Sequence, residues 1–312
     1  MIGTGGQGRP LNWAYCTNGF SGHRLHEALD LLSELGYTGA AITLDHGHLD
    51  PYAPGLSAQV SRIAGLLDRL GMNAVIETGG RYTLDPRRKH HPTLISDGAD
   101  RRAGFLNQAM RVAADLGAPV VHLWSGIRPE DLPEEAAWAR LARQCEGLLA
   151  TADRLGVTLG FEPEPGMLVE DLSGFERLSA MLGGHPRLGL TLDVGHCRCL
   201  EPDDPPACVR RALPYLVHVQ IEDMRRGVHE HLEFGEGEID FPPVLAALAG
   251  YRGQVAVELA RHSHAAPQVA RRSIAFLRKA HDELGEKGAG RHGRDRAEGG
   301  GVAGVGTVAG GG

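Results

Sequence analysis

The segment Val157-Thr158-Leu159-Gly160-Phe161-Glu162 is a short apolar run that stops at a carboxylate. A run of this length and character is typical of a buried β-strand. Three later runs, residues 188–193, 217–220 and 254–258, repeat the pattern and stop at Asp193, Gln220 and Glu258. The stops recur at roughly 30 residues, which is about the length of one strand-plus-helix unit.

The same alternation extends over most of the chain, from about residue 12 to residue 284. Four earlier runs, residues 12–16, 39–45, 73–77 and 119–124, also predict strands, and segments with helical periodicity follow each strand. Eight strands that alternate with eight helices predict a parallel sheet. An open, doubly wound sheet would carry a Gly-rich phosphate turn after its first strand, and none follows residues 12–16. We therefore predict an α/β fold, a closed (β/α)8 TIM barrel.

The predicted domain organisation is one barrel over residues 11–284 with two short extensions. Residues 1–10 are Gly-rich and are predicted to be a flexible N-terminus. Residues 285–312 are rich in glycine and charge and hold few large apolar side chains. Such a segment buries too little apolar surface to offset the entropy of ordering, so we predict a disordered tail.

Composition limits the classes of partner and compartment. The 312 residues carry a formal net charge of −7, so no nucleic-acid partner is expected. No run of 18 apolar residues and no apolar leader is present, so no membrane partner and no secretion are expected. The five cysteines are odd in number and lack framework spacing, which favours free thiols in a reducing cytoplasm.

The four strand-end residues predict a metal site. In a TIM barrel the C-terminal ends of all strands converge on one mouth, where the active site lies. Glu162, Asp193, Gln220 and Glu258 would together offer hard oxygen ligands to a divalent cation. Strand alternation places His218 on the same face as Gln220, so His218 is an alternative ligand.

Further polar side chains are expected around this mouth. Glu77 and His122 end earlier strands, and His196 lies three residues after Asp193. His229 and His231 lie on the loop after Gln220, where they could bind substrate or a second metal. A basic loop, residues 81–91, could hold a phosphate or carboxylate, although charged loop residues are also commonly solvated. The candidate substrate-binding residues are Glu77, Arg81, His122, His196, His229 and His231.

These motifs resemble the xylose-isomerase-like TIM barrels, the sugar (phosphate) isomerase/epimerase superfamily, over about residues 12–280. The superfamily includes hydroxypyruvate isomerases, ketose 3-epimerases and endonuclease-IV-like barrels. The matching elements are Glu162, Asp193 with His196, the His218-Val219-Gln220 strand, the loop 231–237 and Glu258. In this family the four corresponding positions hold one divalent ion, usually Mn²⁺, Mg²⁺ or Co²⁺. In many members the third ligand is His. In this chain the corresponding residue is Gln220, which resembles the hydroxypyruvate-isomerase branch in using Gln.

The resemblance implies an enzyme that isomerises or epimerises a small sugar, keto-sugar or sugar phosphate. It implies that Glu162 and Glu258 act as acid and base around an enediolate and that His196 hydrogen-bonds a substrate oxygen. Barrels of this kind often pair, so a homodimer is one expected state.

Two other functions remain open at this point. Endonuclease-IV-like barrels hold several metal ions, and a zinc-dependent phosphoesterase would use much of the same inventory of residues. The other hypothesis is a barrel that binds a metabolite without catalysis, because a fold does not determine a function.

Overall fold

The chain folds into a closed barrel of eight parallel strands, as predicted. The computed structural model describes the backbone of residues 11–294 and the side chains of residues 11–283. Around the barrel the strands follow the order β1-β10-β7-β6-β5-β4-β3-β2. The barrel strands are β1 (Asn12–Cys16), β2 (Gly39–Thr43), β3 (Asn73–Glu77), β4 (Val120–Leu123), β5 (Thr158–Phe161), β6 (Leu188–Asp193), β7 (Leu216–Ile221) and β10 (Gln254–Val257).

Helices cover the outside of the barrel. The described residues form α1 (Leu25–Glu34), α2 (Leu56–Leu70), α3 (Ala99–Leu116), α4 (Glu134–Leu155), α5 (Leu172–Met181), α6 (Val194–Leu200), α7 (Pro205–Ala212), α8 (Phe241–Ala247) and α9 (Ala266–Arg294). Short 3-10 helices lie at Thr17–Phe20 and Ala260–Ala265. Gly117 and Gly156, at φ 73° and 72°, end α3 and α4 in the left-handed conformation that glycine adopts without strain. None of the described helices combines the length and apolarity needed to cross a membrane.

Three elements differ from the sequence prediction. A two-stranded antiparallel hairpin, β8 (Asp223–Arg225) and β9 (Val228–Leu232), occupies what was expected to be a loop after Gln220. The short helix α6 is added directly after Asp193, because the Asp193 carboxylate accepts the His196 N–H and caps it.

The third difference is the end of α9, which runs to Arg294 rather than to residue 284. Extending an existing helix adds one hydrogen bond per residue, so a helix that has formed can continue past its last apolar position. The predicted flexible residues 1–10, and the predicted tail from residue 295 onward, lie outside the described residues.

Small apolar side chains form a layer inside the lower barrel. They are Ala14, Cys16, Ala41, Val75, Val120 and Ala256. Adding a Cβ to Gly160 would bring it against side chains of Thr191, Val120 and Val217, so Gly160 belongs to the same crowded interior. The larger apolar side chains pack between the strands and the helices. This arrangement leaves the upper interior of the barrel for polar groups.

Candidate functional site

Strand alternation positions the polar groups directly above the small apolar layer. Because side chains on a strand alternate between faces, the residue two positions after an interior residue is interior again. Val75, Val120, Gly160 and Ala256 are therefore followed two residues later by inward-facing polar residues at the C-terminal strand ends. Those residues are Glu77, His122, Glu162 and Glu258, and all but Glu258 are almost fully buried.

His122 joins two of these carboxylates. Its Nε2 lies 2.5 Å from Glu162 Oε2, and its Nδ1 lies 3.0 Å from Glu77 Oε2. Although burial opposes it, the two carboxylates raise the pKa of His122 well above its ordinary value. Burial, together with the neighbouring charges of Glu164 and Glu258, raises the pKa of Glu162. His122 thus links Glu77 at the end of β3 to Glu162 just beyond β5.

Glu77 also reaches the seventh strand. Its Oε1 accepts a hydrogen bond from Gln220 Nε2 at 3.3 Å and lies 3.3 Å from His218 Nε2. Glu77 thus engages the amide nitrogen of Gln220. The Oε1 atom of Gln220 is buried and has no hydrogen-bond partner. Gln220 also pairs in register with Asp193 on the adjacent strand β6. The amide oxygen is therefore available at the level of Asp193.

Asp193, Glu162 and His196 form a compact group. One ligand atom from each lies within 4.8 Å of the others. His196 Nδ1 lies 3.4 Å from Glu162 Oε1, and the His196 N–H donates to Asp193 Oδ1 at 2.8 Å. Burial lowers the pKa of His196 to about 3, so its ring is neutral and able to bind metal.

Glu258 follows β10 and lines the cavity, but it joins neither this group nor the other compact groups of donors among the described residues. Its Oε1 accepts a hydrogen bond from Asn18 Nδ2 at 2.9 Å. Burial raises the pKa of the Glu258 carboxyl, and the His231 charge opposes that rise. Asn18 follows the end of β1 by two residues. This position just beyond a strand end is the sequence signal that could have identified Asn18 as a residue of the site.

Two histidines reach the mouth from the hairpin. His229 and His231 lie on β9, and each offers a ring nitrogen within 4.8 Å of the others in a group with His196. The Nε2 atoms of His196 and His229 are 3.0 Å apart. Burial lowers the pKa of His229 as well.

Glu222 is a buried carboxylate that follows Gln220 by two residues, and strand alternation therefore predicts it on the same face. It follows β7 and is fully buried, and neither of its oxygens has a hydrogen-bond partner. It groups with Asp193 and His231, whose Nδ1 is 3.8 Å away. Burial, and then the charge of Asp193, raises the pKa of the Glu222 carboxyl well above its ordinary value.

Three buried oxygen atoms without hydrogen-bond partners indicate whether these residues could bind a cation. Glu162 Oε1, Asp193 Oδ2 and Gln220 Oε1 are all buried and lack a hydrogen-bond partner. A buried polar oxygen without a partner is strongly unfavourable, and several carboxylates together repel one another. A divalent cation would satisfy these oxygens and balance their charge, so the donor set fits such an ion.

A cavity of about 210 Å³ opens above these groups. Of the residues predicted from sequence, Glu77, Arg81, His122, Glu162, His229, His231 and Glu258 line it. Asp193, His196, Gln220 and His218 do not line the cavity and are buried. The cavity is also lined by Asn18, Thr43 and Glu164, and Glu164 is the alternative that the sequence offers to Glu162 as the working carboxylate.

Known proteins resemble this chain in sequence and in fold. A family model described as xylose isomerase-like TIM barrel matches residues 29–280. L-ribulose-5-phosphate 3-epimerase UlaE of Shigella flexneri serotype 5b (strain 8401) is 27% identical over 250 residues, which cover 75% of this chain and 81% of that protein. A putative hydroxypyruvate isomerase of Homo sapiens is 28% identical over 204 residues, covering 60% and 71%.

Among solved structures, an L-ribulose 3-epimerase superposes with a TM-score of 0.72 at 20% identity, covering 90% of this chain and 97% of that chain. At this identity the likeness shows the shared fold.

Proposed function

The chain belongs to the xylose isomerase-like TIM barrel family, and from that premise we propose a divalent-metal-dependent isomerase or epimerase of a small sugar, keto-sugar or sugar phosphate. Its sequence relatives are named as a ribulose-phosphate 3-epimerase and a hydroxypyruvate isomerase. The observation that carries the proposal is the set of buried, unpartnered oxygens on Glu162, Asp193 and Gln220 beside a cavity that Glu258 also lines.

We propose Glu162, Asp193, Gln220 and Glu258 as the residues that would hold the metal. When bound, a Mn²⁺, Mg²⁺ or Co²⁺ ion would polarise the substrate carbonyl and stabilise the negative charge of an enediolate. Gln220 is preferred to His218 because its amide nitrogen is engaged by Glu77 and its oxygen is not. An amide ligand also adds no negative charge to three carboxylates.

We propose Glu162 and Glu258 as the acid–base pair. Both line the cavity, and burial raises the pKa of each, which brings a carboxyl group closer to the pH at which general acids and bases work best. Asn18 orients Glu258, and His122 orients Glu162. One carboxylate would remove the proton from carbon and the other would return a proton.

The remaining candidate substrate contacts divide by position. Arg81, His229 and His231 line the cavity wall and would contact substrate directly. The family resemblance assigns His196 a hydrogen bond to a substrate oxygen, but its buried ring does not line the cavity, so it would act through His229, whose Nε2 lies 3.0 Å from its own. Glu77 and His122 line the cavity too, but they bind each other and Glu162, so their main role would be to position Glu162.

Proton transfer to solvent tests this function. The purified protein would be stripped of metal, reloaded with Mn²⁺, and incubated with a panel of ketoses, inososes and their phosphates in deuterated water. We expect deuterium to enter the carbon next to the carbonyl of at least one substrate, only with metal present. A protein that binds a ketose in the presence of metal yet exchanges no deuterium would be a non-catalytic metabolite-binding barrel.

The three neighbouring imidazoles support a second candidate, a zinc-dependent phosphoesterase with several metal ions. Imidazole is a preferred zinc ligand, and His196, His229 and His231 present nitrogens within 4.8 Å of one another. Metal analysis of the purified protein distinguishes the two candidates. One Mn²⁺-like ion per chain supports the isomerase, and two or three zinc ions per chain support the hydrolase.

A further inference from the structure

The cavity is lined by four carboxylates and by three cations, which are called here its acidic side and its basic side. The acidic side holds Glu77, Glu162, Glu164 and Glu258, and the proposed function assigns metal binding and proton transfer to part of it. The basic side holds Arg81, Lys89 and Arg261. Metal binding and proton transfer leave these three cations without a role.

Arg81 and Lys89 come from one loop that brings them together. The His90 N–H, directly after Lys89, donates to the Arg81 carbonyl oxygen at 2.6 Å. Between them, Asp85 pairs with Arg88 Nε at 3.0 Å and closes the turn. Two cations that are eight residues apart in sequence therefore lie on one folded loop, and both line the cavity.

These two cations lack a neutralising partner. Among the described side chains, no carboxylate lies within 4.0 Å of Arg81 or of Lys89, whereas Arg88 on the same loop has Asp85. Arg261 lies 3.6 Å from Glu230, so its charge is largely balanced. About two uncompensated positive charges therefore line this side of the cavity.

A third uncompensated cation lies behind the cavity wall. Arg102 is 1% exposed, its guanidinium carbon lies 4.2 Å from the Trp124 ring centroid, and Trp124 lines the cavity. It donates to the Thr78 carbonyl oxygen at 3.1 Å, while its Nε has no hydrogen-bond partner. Within the described side chains no carboxylate pairs with it. A buried cation without an anion is unfavourable, and an anion bound beside Trp124 would offset that charge.

We propose that the basic side of this cavity binds the phosphate of a phosphorylated substrate, with Arg81 and Lys89 as its direct ligands. The inference rests on the proposed function and names the class of its substrate. A phosphomonoester carries a charge near −2 at neutral pH, which offsets more of the positive charge of Arg81, Lys89 and Arg102 than the single charge of a carboxylate would. Arg81 can bind two phosphate oxygens at once, and Lys89 adds a point charge.

Equilibrium binding of simple ligands tests the subsite without turnover. The Mn²⁺-loaded protein would be titrated calorimetrically, at low ionic strength, with glycerol 3-phosphate, glycerate and glycerol, none of which has a keto group. We expect glycerol 3-phosphate to bind at least about tenfold more tightly than glycerate, and glycerol to bind weakest. Arg81→Met and Lys89→Met should each weaken phosphate binding about tenfold or more, the scale of a lost charge-assisted hydrogen bond. Raising the salt concentration should weaken it further.

Arg87→Met is the matched control, because Arg87 is an exposed cation on the same loop that does not line the cavity. Its phosphate affinity should equal that of the wild type, and all three variants should keep the wild-type metal content. Equal binding of glycerol 3-phosphate and glycerol, or wild-type affinity in Arg81→Met and Lys89→Met, would overturn the subsite. Glycerate binding as tightly as glycerol 3-phosphate would overturn the phosphate assignment in favour of a carboxylate.

The two proposals fail in different measurements. Loss of deuterium exchange with intact phosphate binding would reject the isomerase and leave the subsite standing. Deuterium exchange into an uncharged ketose, with no phosphate affinity, would reject the subsite and leave the isomerase standing.

Discussion

Glu258→Gln tests the proton-transfer proposal through a change of one atom type. The Oε1 of Glu258 accepts a hydrogen bond from Asn18 Nδ2, and the amide oxygen of glutamine can accept the same bond at the same position. The side chain keeps its length, while the group that takes up and releases the proton is lost. The geometry of the mouth should therefore survive and the chemistry should not.

The expected loss in rate is over a hundredfold, because a general acid or base typically contributes that much or more. A hundredfold corresponds to about 2.7 kcal/mol of activation free energy at 25 °C. Burial raises the pKa of the Glu258 carboxyl, which means that the folded protein disfavours its charge. A neutral amide should accordingly leave the melting temperature of the metal-free protein equal to or above that of the wild type.

The assay is deuterium exchange into the cognate ketose at saturating Mn²⁺, with the metal content of each sample measured in parallel. Glu130→Gln serves as a control, because it makes the same chemical change at an exposed loop position beyond β4. Exchange within about threefold of the wild-type rate in Glu258→Gln, at equal metal content, would refute the acid–base role. A slow variant that regains the wild-type rate when more Mn²⁺ is added would show that Glu258 acts only as a metal ligand.

Three further outcomes are expected. Asn18→Ala should lower the exchange rate about tenfold with the fold intact, because Glu258 loses the donor that orients it at 2.9 Å; an unchanged rate across the pH profile would contradict this. Burial, aided by the Glu258 charge, raises the pKa of Glu164 to about 7 from 4.5. Since the folded-state pKa is the higher one, the stability that this group contributes is present below pH 4.5 and is lost as pH rises to about 7. The urea midpoint of the metal-free protein should therefore fall over that range, and less steeply in Glu164→Gln; parallel curves would contradict the assignment. Chelation of Mn²⁺ should destabilise the folded protein by about 2.7 kcal/mol relative to metal at a hundred times its Kd, and a melting temperature indifferent to chelator would rule out a resident ion.

The barrel and much of its mouth could be predicted because strand periodicity is a local signal. Glu162 follows a five-residue apolar run, and the alternation of inward and outward positions then fixes which residues lie above the small apolar layer. Glu77 and His122 follow from the same rule, and both lie at the cavity. A residue that ends a buried strand is thus placed by sequence spacing alone.

Residues beyond the strands could not be placed in this way. His229 and His231 reach the mouth only because residues 223–232 fold back as a hairpin that packs against α6. Glu222 likewise turns toward Asp193 after its strand ends. Which atom of the Gln220 amide is left without a partner depends on the position of the Glu77 carboxylate. Because the two residues lie on different strands, no single segment of sequence specifies that contact.

The hairpin β8–β9 gives the site two parts with different tolerance to change. The carboxylates and Gln220 stand on barrel strands, where a shift of one residue would disturb the closed sheet. His229 and His231 stand on a ribbon that pairs only with itself. Insertions or exchanges within that ribbon can therefore add or remove imidazoles while the barrel beneath stays the same. The ribbon is a natural point of divergence, at which descendants of one barrel could acquire different metal stoichiometries and different reactions.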